Sequence, residues 1–330
     1  MEGAVRRIDR FQQRHGSLGL IFGVIKKFGD DNAGVLVSNL AYSAFGAIFP
    51  LLLLLVTILG LVLRGQPSVR ASILHSALAE FPVIGNQLGQ NIHALQRGSV
   101  LALAVALLGL LWTSTGLAQA GLFTMAEIWN VPGPKRPNYP RRLLRSCGFL
   151  AVIALGLIVT TTLASFGSFS GHTLGAAIGA ELVAMAINTG QFLLAFRVAT
   201  PKAVATRDLW PGAIAGGVGW TILQAAGGYL VGHELRNQSQ VYGTFALVLG
   251  LLAWVYMGVR LTVYSAELNT VVARRLWPRA IVQPPLTDAD RRSLALQAEQ
   301  NQRRPEQQVE VGFSEPAMTE EEFLDRQSNG

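Results

Sequence analysis

Six stretches of this 330-residue sequence are long enough to cross a lipid bilayer and almost free of charge. They run Val35–Leu63, Ser99–Ala120, Ser146–Ser168, Leu174–Val198, Pro211–Gly232 and Tyr242–Asn269. Each is near or above the about 20 residues that an α-helix needs to traverse hydrocarbon. The rest of the composition agrees: 14% of residues are charged, against about 25% in water-soluble domains. There is too little charge here to coat a water-facing surface. The N-terminal segment lacks a short apolar core with a small-residue cleavage site, so the first run is expected to be a retained helix.

Basic residues set the expected orientation. On one side lie Arg6, Arg7, Arg10, Arg14, Lys26 and Lys27, then Lys135, Arg136, Arg141, Arg142 and Arg145. Arg197, Lys202 and Arg207, then Arg274, Arg275 and Arg279, complete seventeen on that side. The other side carries Arg64, Arg70, Arg97 and Arg236. Such asymmetry places both termini in the cytoplasm. It also accounts for the net charge of +7 without nucleic acid as a partner. The fold class expected is all-α: a polytopic membrane protein of six transmembrane helices, with the bilayer as its first partner.

Three divisions follow. Residues 1–33 form a cytoplasmic arm in which Leu18, Ile21, Phe22, Ile25 and Phe28 keep helical spacing on one face, with Lys26 and Lys27 off it. That pattern predicts an amphipathic helix lying at the membrane interface. Residues 34–270 form the membrane domain, whose longest external loop, 64–98, reads as a helical hairpin split by Pro82. Residues 271–330 are rich in Gln, Glu and Arg, a composition expected to stay flexible.

With no soluble catalytic domain in view, function is sought among polar residues inside the spans. At about 100° per residue, Asn39, Tyr42, Ser43, Gly46, Pro50 and Thr57 share one face of the first span. Glu181, Met185 and Asn188 align in the fourth, with Gln191 at the edge. Gly217, Thr221, Gln224 and Gly228 align in the fifth, and Tyr256, Arg260, Tyr264 and Glu267 in the sixth. Helix packing through small residues explains such faces equally well, and the patterns Gly212-x-x-x-Gly216 and Gly171-x-x-x-Gly175-x-x-x-Gly179 fit it. An intramembrane carboxylate is harder to dismiss, which singles out Glu181 and Glu267. Arg260 lies two turns from Glu267, about 10 Å by helix rise, too far for a direct pair. It is expected to snorkel toward the cytoplasmic surface, with Glu267 at the interface.

Three ordered segments resemble the YihY/BrkB family of bacterial inner-membrane proteins. They are LAYSAFGAIFPLLLLLV from Leu40, LWTSTGLAQAGLFTMAEIWNV from Leu111, and VYGTFALVLGLLAWVY with SAELN in the last span. The resemblance covers Lys26 to Arg275 and points to Tyr42, Pro50, Trp112, Ser114, Gly116, Tyr242, Gly243 and Glu267. Arg260 stands where an apolar or small residue is expected. The resemblance implies an inner-membrane protein linked by name to virulence and to handling of lipid or envelope precursors. It does not imply the ribonuclease that members were once labelled as.

The residues argue against nuclease chemistry independently. His15, His75, His93, His172 and His233 are scattered and no acidic cluster accompanies them, whereas metal-dependent phosphodiester cleavage needs clustered ligands. Neither a metal, a cofactor nor a nucleophile–base pair is expected. The leading expectation is a transporter or translocator of a lipid, envelope precursor or small molecule. Its path would be lined by Asn39, Tyr42, Glu181, Asn188, Gln224 and Glu267. The alternative is a non-transporting scaffold for envelope proteins, and homo-oligomers are compatible with either.

Overall fold

The computed structural model describes residues 7, 9, 11–62, 100–167, 174–233, 243–283 and 285–314, and no strand occurs among them. The arm helix is α1 (Gly16–Asp30). The described parts of the six apolar runs fall within α2 (Ala33–Val62), α3 (Val100–Ile128), α4 (Tyr139–Gly167), α5 (Leu174–Ala199), α6 (Trp210–His233) and α7 (Gly243–Arg274). A further helix, α8 (Asp288–Gln300), follows. Among the described residues, two stretches pass as membrane-crossing by length and composition, Ile178–Ala199 and Val248–Arg274. The expected outer hairpin, 64–98, lies outside the described residues, as does Tyr242.

Local chemistry sets the helix ends. Pro140 and Pro211 occupy first-turn positions of α4 and α6, where a missing N–H costs no helical bond. Asn32 and Asn130 end α1 and α3 with φ of 50° and 47°, a left-handed conformation that Asn tolerates better than most residues. At the end of α7, Arg275 has φ 52°. There the Leu276 N–H donates to the Val271 carbonyl at 3.0 Å and the Arg275 N–H to Val272 at 3.3 Å. That is a Schellman ending, and both Val271 and Leu276 are buried.

The chain forms two compact units. The membrane unit comprises Phe28–Trp129 and Pro137–Asn269. In it, chain neighbours pack together: α2 on α3, α3 on α4, α4 on α5 and α5 on α6. Helix α6 is the small-residue seam. A Cβ at Gly216 would stand 2.6 Å from the Phe192 ring of α5, and one at Gly217 would meet Thr189. On the α7 side, a Cβ at Gly219 would stand 2.6 Å from Leu261, and one at Gly212 would meet the Ser265 carbonyl. The Gly212 N–H, in the first turn of α6, donates to Asn269 Oδ1 of α7 at 2.6 Å. A helix start left without an intrahelical partner is thus satisfied by a side chain from α7. The Gly212–Gly216 pattern is a packing seam. At Gly175 and Gly179 nothing described lies within 4 Å of an added Cβ.

The terminal unit joins Met1–Lys27, Asn130–Arg136 and Thr270–Gly330. It joins segments that the expected division kept apart, the arm and the described part of the tail, 271–314. In α1 the buried face is Gly19, Gly23 and Lys27, while Leu18, Ile21 and Ile25 are exposed. A Cβ at Gly23 would stand 3.1 Å from Trp277 and 3.2 Å from the Leu276 carbonyl. Glycine lets the segment after α7 lie directly on the back of the arm helix, so the apolar stripe turns outward.

Polar contacts then hold the tail. Thr287 caps α8 in a capping box with Asp290, worth about 1 kcal/mol. Asp290 is fully buried and accepts from Arg279 Nε at 2.6 Å, Lys26 Nζ at 3.0 Å and the Ala280 N–H at 3.0 Å. Asp9 accepts from Gln12 at 3.0 Å, Gln13 at 2.8 Å and the Ile281 N–H at 3.0 Å. Burial pushes the Asp290 carboxyl upward, but the Ala280 N–H, Arg279, Lys26 and Thr287 together hold it well below the usual carboxylate range. The same opposition, resolved by Ile281, Gln12, Gln13 and Val282, lowers Asp9. Hydrogen-bonded carboxylates, rather than apolar burial alone, hold Arg279, Ala280, Ile281 and Asp290 in place.

Candidate functional site

A cavity of about 200 Å³ lies within the membrane unit. Helix α5 supplies half of its wall through Asn188, Gln191, Phe192, Ala195, Phe196 and Ala199, the positions of one helical face. Opposite stand Leu40 of α2, Gly121 and Met125 of α3, and Phe149 and Ile153 of α4, with Trp220 of α6 and Thr262 of α7 completing it. The wall is mostly apolar, with the two amides set close together on α5. A few polar groups in an apolar lining fix a ligand's orientation, while the apolar surface supplies most of the affinity.

The polar residues are held in place. Asn188, 8% exposed, donates from Nδ2 to Thr221 Oγ1 at 3.2 Å. Thr221 in turn donates to the Gly217 carbonyl at 3.0 Å. Thr262 donates to the Gly258 carbonyl at 2.8 Å, so both hydroxyls are turned back onto their own helices. Gln191 lies against Gly156 of α4, where any Cβ would collide with the amide. Near this wall the Trp220 and Trp254 rings are 6.5 Å apart. The buried Trp254 Nε1–H has no acceptor among the described residues, a costly state for an indole in apolar surroundings.

Of the residues expected to line a path, the structure brings Asn188 alone into this wall. Gln224 is half-buried on α6, one turn beyond Thr221. Glu181 lies two turns before Asn188 and is exposed, as is Asn39. Tyr42 is 77% exposed although its neighbour Leu40 lines the cavity. Glu267 is completely buried in protein, and it is not one of the lining residues. Among the motif positions, Trp112 is 84% exposed and Gly116 has open space around it. Pro50 and Ser114 lie within α2 and α3, and Gly243 opens α7. Arg260 is exposed, its guanidinium carbon 5.7 Å from the Tyr264 ring centroid.

Residue-by-residue reading missed Trp220, Thr262 and the Phe192–Phe196 pair, and it put Gln191 at an edge. The signal was present in α5 as the spacing 188, 191, 192, 195, 196 and 199. A search that follows polar residues passes over phenylalanines, which hid it. Among the described residues no group of three or more His, Cys, Asp or Glu could hold a metal ion.

The model of the Virulence factor BrkB family matches residues 24–286. The chain belongs to the BrkB family. It is similar to a UPF0761 membrane protein of Xanthomonas campestris pv. campestris strain B100, at 25% identity over 281 residues, covering 79% of this chain and 62% of the relative. A UPF0761 membrane protein of Alcanivorax borkumensis strain SK2 is 23% identical over 268 residues, covering 78% and 61%. The chain thus spans under two thirds of the length of these curated relatives. No solved structure matches. The BrkB match makes this an integral membrane protein, and it takes in every lining residue of the cavity. It ends before Thr287, so α8 and the Asp290 contacts lie outside it.

Proposed function

We propose that this BrkB-family protein moves an amphiphile, a lipid or envelope precursor, across the bacterial inner membrane. In this reading α2 to α7 each span the bilayer and both termini are cytoplasmic, in line with the seventeen-to-four basic asymmetry. The observation that carries the reading is the cavity itself. An apolar chain fits against Phe149, Phe192 and Phe196, while Asn188 and Gln191 meet a polar head. No proton or ion carrier is assigned, because the two intramembrane carboxylates lie outside this wall.

Cysteine accessibility tests it. In a Cys147→Ser background, needed because Cys147 is exposed, single cysteines replace Asn188, Gln191, Glu181 and Glu267. A membrane-impermeant thiol reagent is added from each side in turn. Transport requires labelling at 188 and 191, and the reactive side shows which way the cavity opens. The scaffold reading draws on the tight glycine seams of α6. It requires that 188 and 191 stay unreactive while helix-end cysteines label.

A further inference from the structure

Arg260 is an exposed cation on a membrane-length helix, and its surroundings specify a ligand. Phe28 and Tyr264 stack with centroids 4.2 Å apart and planes at 13°. The Arg260 guanidinium carbon is 5.7 Å from the Tyr264 centroid and 6.0 Å from that of Phe28. Rings at this range hold a guanidinium by cation–π attraction. They satisfy it only in part, since its five N–H donors lie in the plane and aim outward. Among the described residues no carboxylate forms an ion pair with it. The aromatic pair also fixes its depth. Phe28 is two residues from the Asp30–Asn32 turn that opens α2, and Asp30 and Asn32 are exposed. A turn with two aspartates belongs at the aqueous boundary and not in hydrocarbon. Tyr264, stacked on Phe28, therefore lies just inside that boundary. Arg260, one turn earlier in α7, starts deeper and snorkels, its long side chain carrying the head back into the layer of lipid phosphates.

We propose that Arg260, propped by Phe28 and Tyr264, binds the headgroup phosphate of a phospholipid in the leaflet on the side of the Asp30–Asn32 turn. A guanidinium matches phosphate with two parallel charge-assisted N–H···O bonds; the rings preorganise its plane, and the Tyr264 hydroxyl engages one donor, leaving the others of the five for the phosphate. The site is separate from the cavity and independent of whether the protein transports.

The test is native mass spectrometry of the full chain in nonionic detergent, titrated with phosphatidylglycerol and with monogalactosyl diacylglycerol, which has no phosphate. Arg260→Gln is expected to weaken the first phosphatidylglycerol binding step roughly tenfold and to leave the galactolipid unchanged. Arg260→Lys keeps the charge but not the fork and should fall between. Because Arg260 is exposed, neither replacement disturbs packing, and unaltered elution on size exclusion checks this. Equal phosphatidylglycerol binding by the native chain and Arg260→Gln would overturn the proposal. So would displacement of the lipid from the native chain by millimolar inorganic phosphate, which would make the site one for free phosphate.

Discussion

Replacing Asp290 by Asn should release α8 and the segment before it while leaving the membrane unit folded. The carboxylate accepts from Arg279, Lys26 and the Ala280 N–H, and also from the Thr287 N–H at 3.1 Å and the Thr287 hydroxyl at 2.8 Å. Asn keeps the shape and one acceptor oxygen, but it loses the charge facing Arg279 and turns an N–H toward donors. Removing one partner from a buried pair costs about 3–5 kcal/mol. The low end applies, because the Lys26 side chain is 19% exposed and its share is screened. About 3 kcal/mol corresponds to roughly a hundredfold more frequent opening. Hydrogen exchange of α8 amides in the full chain, compared between native and Asp290→Asn, reads it directly. Asp288→Asn, an exposed first-turn change, is the control. Protection of α8 within threefold of native, or an equal loss in the control, would refute the reasoning. The pH arm has a definite sign. A carboxyl lowered in the folded state contributes fully above its ordinary value of about 3.9 and loses that contribution as pH falls through the folded value. Opening of α8, corrected for intrinsic exchange, is therefore flat from about pH 8 to 5 and rises only in stronger acid.

Two further substitutions probe the membrane unit. Gly156→Leu forces a side chain into the space that Gln191 occupies. It should cost about 1–3 kcal/mol, lower the Tm in detergent and change thiol labelling at position 188; unchanged values of both would detach Gln191 from α4. Gly216→Ala meets the Phe192 ring at 2.6 Å and should lower the Tm. Gly175→Ala, with nothing described in reach, should leave the Tm unchanged or raise it, helix propensity adding up to about 1 kcal/mol of stability. If Gly175→Ala destabilises as much as Gly216→Ala, the assignment of the seam to α6 fails.

The helices were legible because hydrocarbon imposes one solution on a long apolar run, and the described part of each of the six runs lies within a helix. The contacts of the described part of the tail, 271–314, were not legible for an equally physical reason. Composition reports how much apolar surface a segment can bury. It is silent on carboxylates that find donors 264 residues away, as Asp290 finds Lys26. The only local trace was Thr287-Asp288-Ala289-Asp290, a capping-box pattern after two prolines. In the cavity, Asn188 was visible as an amide on a helical face, whereas Phe192 and Trp220 were not, since an aromatic residue in a span has the same appearance toward lipid, protein or ligand.

Arg260 and Glu267 show what periodicity leaves open. Two turns apart on α7, they share a face, yet one is exposed and the other completely buried. The change begins at Tyr264, half-buried under Phe28. Beyond that residue the same stripe runs into protein. Helical spacing fixes a direction from the axis and says nothing about what stands in that direction along the helix's length. The two charges therefore answer to different constraints. An uncharged residue at 260 removes a contact with the surroundings of the protein and leaves the helix where it is. A change at 267 alters a site from which water and lipid are both excluded, where the packing of α7 has to absorb it.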